Sequence, residues 1–456
     1  MEKEMNTLNA TLQEAEIQLA RHCLVHALEQ GAQAVRITLT KSLMNLTGLL
    51  NGEVDKVALA LDRSMQFQFF ADGRFGTFSS NQLEKESLER FIKEAVDTVR
   101  MLEPDAFRQL PSADRLVKQA ATGKELDLYD PAYESLTDAR RREISLSSMA
   151  WPRKETLEKG WKLISEEGEY SDSVFDSLTL DSQGLEARHT ETSFEIGYEC
   201  TVEDAEGNHI SSYWWDASPT LDALKWQDCA KTACLRAAAQ IGPKSIPGGR
   251  YNLIVDSECA SKLLTPVMNA LGGSSLQQKN SFLTDSLGKQ VFPETLTIWD
   301  RPLDKGCTGS RLYDSEGVAT REMPIIEKGV VKTYFMNTYM AGKMQMDPTV
   351  EDCTRIKVTP VGGSKTLDEL LEKVQDGLLV TGFNGGNSNP ATGNFSYGVE
   401  GFLVKGGKRV HPVREILITG DFLSLWNNLL FTADDARPCM SRLIPSLAFK
   451  NVVVSA

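Results

Sequence analysis

Between Ala34 and Ser80, alternating apolar and polar residues are interrupted by tight-turn dipeptides, and this pattern restricts the fold more than any other feature. The turn signals are Asn51-Gly52 and Asp72-Gly73, which suit two-residue hairpin loops because both central residues tolerate positive φ. Period-two alternation places every second side chain on one face of a sheet. The segment is therefore predicted to form an antiparallel meander.

Helices are predicted on both sides of this meander and again further along the chain. Apolar residues at helical spacing indicate a helix over residues 12–30 and a second helix over 84–102. A long helix is expected over 136–166 and another over 221–240, with three or four strands between them. The polar residues 104–135 contain several prolines and are interpreted as a connection.

Strand-like segments dominate the second half of the chain. They read, in order, YNLIVD, TLTIWD, MPIIEKGVVKTYFM, GLLVTGF, SYGVEGFLVKGGKRVHPV and EILITG. Few helices interrupt them, and one is marked by Thr366 and Glu369, which have the spacing of a capping box. The predicted fold class is α+β: an N-terminal helix and antiparallel-hairpin domain, followed by a β-rich, barrel-like or sandwich-like C-terminal domain with inserted helices.

Length and charge limit the range of architectures and partners. A chain of 456 residues predicts two domains, which we place at residues 1–220 and 221–456, with a subdivision near 104–135. The formal net charge of -14 argues against nucleic acid or an anionic membrane as a main partner, because both bind basic surfaces. No membrane span or export signal is recognised, so the cytoplasm is the expected compartment.

Histidine is scarce in this sequence, which has only 5 such residues as candidate metal ligands. His22 and His26 have the spacing of an HExxH motif, but Cys23 stands where the general base would be, so we interpret the pair as non-ligating. His189 and His209 fall in neighbouring predicted strands without a motif that supplies further ligands. Hydrolase elbows, Walker loops and dinucleotide fingerprints are absent.

Three segments in the C-terminal half together resemble a known family. They are LLTPVMNALGGSS, which begins at Leu263, then ATGNFSYGVEGFLVKGGK, and then PVREILITGDFLSLWNNL. In this combination they resemble the TldD/PmbA family, often described as modulators of DNA gyrase. The N-terminal segment DGRFGTFSSN also fits, so the resemblance spans most of the chain and points to the PmbA/TldE-like branch.

The resemblance implies that this chain has lost a zinc site. In the TldD branch an HExxxH motif holds the zinc of a metalloprotease, whereas the PmbA/TldE branch is the partner subunit and lacks those ligands. The two histidine positions fall here on Thr265 and Ala270, and the glutamate position falls on Pro266. None of these side chains can ligate zinc or act as a base, so no catalytic or metal-ligating residue is expected. Cys439 or Ser441 falls near the family's cysteine ligand, but without the two histidines it would have no other zinc ligand beside it. A helix break is also expected at Thr265, with Pro266 starting a second short helix.

A partner and a substrate also follow from the resemblance. A separate TldD-type chain would carry the zinc and cleave peptides or unfolded proteins, while this chain binds no cofactor. We expect peptide binding by a strand edge and by the loop residues Gly393, Asn394, Phe395 and Ser396. Two alternatives stay open: an autonomous metallopeptidase with ligands such as His189, His209 and Cys200, or a homo-oligomeric peptide-binding scaffold. Whether the isolated chain forms a homodimer also stays open.

Overall fold

Six antiparallel strands form the sheet of the N-terminal half in a computed structural model, which describes residues 9–150 and 161–455. The strands are β1 (Ala34–Leu50), β2 (Glu53–Ala71), β3 (Arg74–Ser80), β4 (Lys162–Asp181), β5 (Glu186–Glu203) and β6 (His209–Ser218). Their order is β3-β2-β1-β4-β5-β6. Positive φ values at Asn51-Gly52 and Asp72-Gly73 match the hairpin turns expected from the sequence. The predicted meander is confirmed.

Helices cover one face of this sheet. Within the described residues they are α1 (Glu14–Glu29), α2 (Lys85–Val99), α3 (Asp138–Ser148) and α4 (Cys229–Ala238). Every odd-numbered side chain of β1 from Val35 to Leu49 is buried, as period-two geometry requires of a strand with one covered face. The helices α1 and α2 pack over one end of the sheet, and α3 and α4 pack over the other.

The helix predicted over 136–166 was too long. The structure has α3 over Asp138–Ser148, and β4 already begins at Lys162. Residues 151–160 of the predicted helix lie outside the described residues. Strand β4 pairs with both β1 and β5, so its backbone N–H and C=O groups are hydrogen-bonded on both sides. This pairing stabilises the strand more than the local helical propensity of these residues stabilises a helix.

The helix predicted over 221–240 was also too long, since a 3-10 turn at Leu221–Ala223 precedes α4. The backbone N–H of Leu221 donates to Asp130 at 2.9 Å, and that of Lys225 donates to Asp216 at 2.8 Å. These carboxylates replace the carbonyl partners that a helix would supply. Although α4 follows residue 220, it packs with the N-terminal core.

A closed five-stranded barrel forms the centre of the C-terminal half. Its strands are β7 (Gly249–Val255), β12 (Gly377–Ser388), β13 (Asn394–Lys405), β14 (Lys408–Asp421) and β16 (Leu447–Ser455). They pair in the order β14-β13-β12-β7-β16, and pairing of β14 with β16 closes the ring. The α+β class and the barrel-like domain are thereby confirmed, although β7 and β12 are parallel rather than antiparallel.

Smaller elements surround the barrel. A four-stranded sheet contains β8 (Ile298–Asp300), β9 (Met323–Glu327), β10 (Val330–Val331) and β11 (Ile356–Val358), and β15 (Leu429–Thr432) pairs with β16. The helices are α5 (Ser261–Ala270), α6 (Gly273–Gln277), α7 (Thr338–Met344), α8 (Leu367–Val374) and α9 (Phe422–Asn427). Thr366 caps α8, as predicted, by accepting the N–H of Glu369 at 3.3 Å.

Helix α5 runs unbroken through Pro266, so the helix break predicted at Thr265 was wrong. The hydroxyl of Thr265 donates to the carbonyl of Ser261 at 2.8 Å. Four apolar side chains of this helix are almost fully buried in the barrel core: Leu263, Leu264, Val267 and Met268. Their burial outweighs the single hydrogen bond that proline removes.

The connection predicted over 104–135 lies against both halves of the chain. Leu116 forms a β-bridge with Val318 of the C-terminal half, and Gly123 forms one with His189 of β5. A 3-10 turn at Pro131–Ser135 ends the connection. None of the helices in the two described stretches of chain is long and apolar enough to cross a membrane.

We expect Leu253→Ala to lower the free energy of unfolding by about 2–5 kcal/mol, because Leu253 is fully buried in the barrel and its truncation leaves a cavity. Leu417→Ala is the matched control, since Leu417 of the same barrel is 46% exposed. Denaturant unfolding followed by tryptophan fluorescence measures both. Equal losses would contradict the assigned barrel core.

Candidate functional site

A cleft of about 510 Å³ lies between the N-terminal sheet and the barrel. Residues of α5 form its floor, residues of β6 form one wall, and residues of β12 form the other. Within the described chain, β6 pairs only with β5, and β12 pairs with β7 only over Leu378–Val380. Two strands that each keep an unpaired edge therefore border the cleft.

The three positions equated with the zinc motif lie on α5 but do not share one environment. Thr265 and Pro266 are half-buried and line the cleft. Ala270 is 2% exposed, and its methyl group belongs to the hydrophobic core. The side chain at the second histidine position thus packs in the protein interior.

Arg442 is the residue that reaches the motif position from the C-terminal segment. Its guanidinium donates a short hydrogen bond to the hydroxyl of Thr265. The resemblance places Cys439 or Ser441 near the family's cysteine ligand, whereas the structure brings Arg442, which the sequence does not mark, to this position. Only the fold could reveal this contact, because no motif links an arginine to a threonine so far away in the chain.

The residues at this position do not fit a zinc ion. Zinc in proteins is held by thiolates, imidazoles and carboxylates, and Thr265, Pro266 and Ala270 supply none of these groups. The guanidinium of Arg442 adds a fixed positive charge that opposes a divalent cation. Across residues 9–150 and 161–455, no cluster of three or more histidine, cysteine or acidic side chains has the arrangement of a metal site.

The alternative ligand set of His189, His209 and Cys200 is not brought together. The strand register places His209 opposite Glu203, and residues 189 to 203 of β5 span roughly 45 Å. Each histidine instead contacts a nearby glutamate, Glu191 at 3.1 Å and Glu203 at 3.3 Å. This hypothesis lacks a geometric basis.

The histidine pair on α1 contacts the neighbouring helix. His22 Nε2 lies 2.7 Å from Glu89 Oε1, and His26 Nε2 lies 3.3 Å from the Glu89 carbonyl oxygen. The two imidazole rings stack with centroids 6.0 Å apart. These contacts tie α1 to α2, away from the cleft.

Cys439 lies at the joint between the two halves. It is 8% exposed, and burial raises the pKa of its thiol to about 11, with Asp216 adding to the shift. Cys259, which lines the cleft, also has its pKa raised by burial. Both thiols are therefore protonated at neutral pH and are poor nucleophiles.

Of the predicted peptide-binding loop, only Gly393 lies in the turn between β12 and β13, because Asn394, Phe395 and Ser396 begin β13 and pair with β14. Gly393 has a φ of +75°, and a Cβ there would lie 3.0 Å from the Phe282 ring. Phe395 is buried, with its ring centroid 5.0 Å from that of Phe422. Asn394 and Ser396 are exposed beside an open depression that shares Ser388 with the cleft.

Arg437 holds β6 against the first turn of the α5 region. Its guanidinium donates to both carboxylate oxygens of Glu258, at 2.7 and 2.8 Å, and lies 3.3 Å from Asp216. The same group lies 4.3 Å from the ring centroid of Trp214 and 4.9 Å from that of Trp215. These contacts position the β6 wall of the cleft.

A second cavity of about 530 Å³ adjoins the cleft and shares Arg236, Gln240 and Thr381 with it. Arg236 lies 5.2 Å from the Trp214 ring and has no ion pair within the described residues. Gln240 is 7% exposed and accepts from Arg414 at 3.2 Å. The two cavities therefore have a cationic and an amide-bearing side chain in common.

Two models of known protein domains match this chain. Sequence models described as "PmbA/TldA metallopeptidase C-terminal domain" and "PmbA/TldA metallopeptidase domain 1" match residues 248–456 and 37–98. The chain is 28% identical over 408 residues to Metalloprotease PmbA of Escherichia coli O157:H7, covering 87% of each protein.

Two solved structures are similar over almost the whole chain. One, a modulator of DNA gyrase from Bacteroides thetaiotaomicron, is 35% identical with a TM-score of 0.92, covering 97% of this chain and 99% of that one. The other, TldE from Thermococcus kodakarensis, has a TM-score of 0.82, covers 96% of this chain and 100% of that one, and is 18% identical, so it supports the fold alone.

We expect alkylation of Cys439 in the native protein to be slow at pH 7.5 and to accelerate about tenfold per pH unit up to about pH 11, because only the thiolate reacts. Iodoacetamide labelling with peptide mass spectrometry measures this rate. Urea-unfolded protein is the control, in which the thiol regains an ordinary pKa. Rapid labelling of folded protein at neutral pH would contradict the buried thiol.

Proposed function

Because the chain belongs to the PmbA/TldD metallopeptidase family, we propose that it is a PmbA/TldE-like, non-catalytic subunit that works with a TldD-type, zinc-bearing chain. The observation that carries this proposal is the hydrogen bond from Arg442 to Thr265. A guanidinium and a hydroxyl stand at the motif position where the peptidase chemistry of the family needs imidazole and carboxylate groups.

The proposed work of this subunit is to bind extended peptide for its partner. An extended chain can pair with an unpaired strand edge through backbone hydrogen bonds, which are independent of side-chain identity. Support comes from the unpaired edges of β6 and β12 and from the cleft between them. Such binding suits peptide and unfolded-protein substrates of varied sequence.

Two features of the cleft would assist peptide binding. The Arg437 contacts with Glu258 and Trp214 hold the β6 wall at a set distance from α5, which lowers the ordering cost on binding. Arg236, which lines both the cleft and the second cavity, offers a cation to a peptide carboxylate or carbonyl oxygen. The Thr381 hydroxyl beside it is buried without a partner in the described structure.

An autonomous metallopeptidase is the second candidate from the sequence, and the geometry offers it little support. His189 lies near the start of β5, whereas His209, on β6, lies opposite Glu203 at the end of β5, so the two histidines are far apart. The resemblance of the C-terminal segments to the PmbA/TldE-like branch, together with the residues at Thr265, Pro266 and Ala270, instead favours a subunit role with a TldD-type partner.

We predict that the purified chain binds less than about 0.1 zinc per chain and hydrolyses no peptide alone, because Thr265, Pro266 and Ala270 provide no ligands. Elemental analysis and a casein-peptide assay, each with and without a TldD-type chain, measure this. Activity is expected only in the mixture, and chelation should abolish it.

The same mixture with a TldD-type chain whose first motif histidine is replaced by alanine is the control. Stoichiometric zinc and chelator-sensitive hydrolysis by the single chain would establish the autonomous peptidase instead.

We predict that Ser212→Trp lowers peptide turnover by the complex at least tenfold, because an indole on β6 would fill the cleft beside α5. Turnover is measured on an unstructured peptide over a range of concentrations, and a rise in KM is expected. The complex itself should form normally.

Thr77→Trp is the matched control, since Thr77 is exposed on β3 at the opposite edge of the same sheet. Its turnover should equal that of the wild type. Unchanged turnover in an intact Ser212→Trp complex would refute peptide binding in this cleft.

A further inference from the structure

The second cavity, of about 530 Å³, lies between α4 and three strands of the barrel. Residues of α4 and of the turn after it line one side, and residues of β12, β13 and β14 line the other. Arg236, Gln240 and Thr381 line both this cavity and the cleft. A peptide bound in the cleft can therefore place one of its ends in the second cavity.

Arg236 brings a positive charge to this cavity that no carboxylate neutralises in the described parts of the chain. Its guanidinium lies 5.2 Å from the ring centroid of Trp214, which holds it without using its hydrogen-bond donors. Glu258, which lines the cleft, is instead bound through both carboxylate oxygens by Arg437, at 2.7 and 2.8 Å. Arg236 is thus available to a ligand, and a guanidinium binds a carboxylate through two parallel hydrogen bonds.

The other basic residue at this cavity is already paired. Arg409 Nη2 lies 3.1 Å from Asp368 Oδ1, and both side chains are exposed at the rim. Its charge is therefore largely offset, and the ion pair is open to screening by solvent. A ligand anion would be drawn to Arg236 first.

Three uncharged side chains of the cavity keep hydrogen-bonding capacity. Gln240 accepts from Arg414 at 3.2 Å through its carbonyl oxygen, so its NH₂ group remains a donor. His411 donates from Nδ1 to the Pro412 carbonyl at 3.0 Å, which leaves Nε2 for another partner. The hydroxyl of Thr381 is buried without a partner among the described residues. Polar groups of this kind, converging in a concave site, are typical of a ligand pocket.

Apolar side chains form the rest of the wall. Leu235 on α4 is 46% exposed, and Val410 on β14 is 56% exposed. Both line the cavity, together with the half-buried Phe402. An apolar side chain of a ligand would remove these surfaces from water.

The carboxylate of Asp256 limits how much negative charge the cavity can hold. Its Oδ1 accepts the N–H of Glu258 at 3.1 Å, and its side chain also lines the cavity. A ligand with a second negative charge would be repelled by this group. The cavity therefore suits a ligand that carries one carboxylate and an apolar side chain.

We propose that this cavity binds the C-terminal residue of a substrate peptide, with the peptide carboxylate on Arg236 and the last side chain against Leu235, Phe402 and Val410. This inference rests on the proposed function, because the preceding residues of the peptide lie in the cleft. An internal peptide carbonyl carries no net charge and would leave Arg236 without a counter-ion. The substrate class is thus peptides with a free carboxyl end and an apolar last residue.

Binding of matched peptides to the full chain tests this assignment. The probe is an unstructured peptide of about eight residues that ends in leucine and carries a fluorophore at its N-terminus. It is prepared as the free acid, as the C-terminal amide, and as a free acid that ends in aspartate. Fluorescence anisotropy should give a Kd for the amide and for the aspartate peptide that is about tenfold or more above that of the leucine acid.

Variants of Arg236 locate the contact. Arg236→Gln should weaken binding of the leucine acid until its Kd equals that of the amide, whereas the Kd of the amide stays unchanged. Arg236→Lys, which keeps the charge but loses the planar fork, should restore part of the preference for the acid. Arg90→Gln is the matched control, because Arg90 is exposed on α2, which covers the other end of the sheet. It should leave all three affinities at their wild-type values.

The possible failures are distinguishable. Equal affinity for the acid and the amide would overturn this inference and leave peptide binding in the cleft intact. A preference for the acid that survives in Arg236→Gln would place the carboxyl end elsewhere, which also overturns it. Absence of binding by both the acid and the amide would overturn this inference together with the peptide-binding role proposed for the subunit.

Discussion

The contacts of the Arg437 side chain hold the N-terminal sheet against the C-terminal half, and the arrangement of the two halves depends on them. The guanidinium lies between the Trp214 and Trp215 rings of β6 and the Glu258 carboxylate before α5, with Asp216 completing the contacts. Burial raises the pKa of Glu258, and the nearby Arg437 opposes that shift, so the carboxylate depends on its partner. Breaking a buried pair of this kind leaves an uncompensated charge, which costs about 3–5 kcal/mol.

The contacts of Arg437 with β6 and with Glu258 fix the separation between β6 and α5, and the cleft is the space between these two elements. A peptidase scaffold can lose its metal ligands and keep such a cleft, since the groove is built from strand edges and a helix rather than from the ligands. Arg442 takes part in the cleft through Thr265, which gives the motif position a cationic character. A substrate-binding role is consistent with both features.

Local sequence signals succeeded where backbone geometry is decided by a few neighbouring residues. The Asn51-Gly52 and Asp72-Gly73 turns and the Thr366 cap were predicted because positive φ and side-chain capping are local properties. Predictions failed where distant partners intervened. Burial of α5 kept that helix intact at Pro266. The carboxylates of Asp130 and Asp216 bind backbone N–H groups of residues 221–225, so the helix predicted over 221–240 is shorter than expected.

The sequence by itself determined the α+β class, the meander and the barrel-like second half, because these depend on residue type and spacing, whereas the family resemblance placed the zinc-motif positions on Thr265, Pro266 and Ala270. Tertiary structure alone decided that Ala270 faces the core, that Arg442 reaches Thr265, and that two strand edges border one cleft. Contacts between residues far apart in the chain leave no periodic signal, so only the folded chain reveals them.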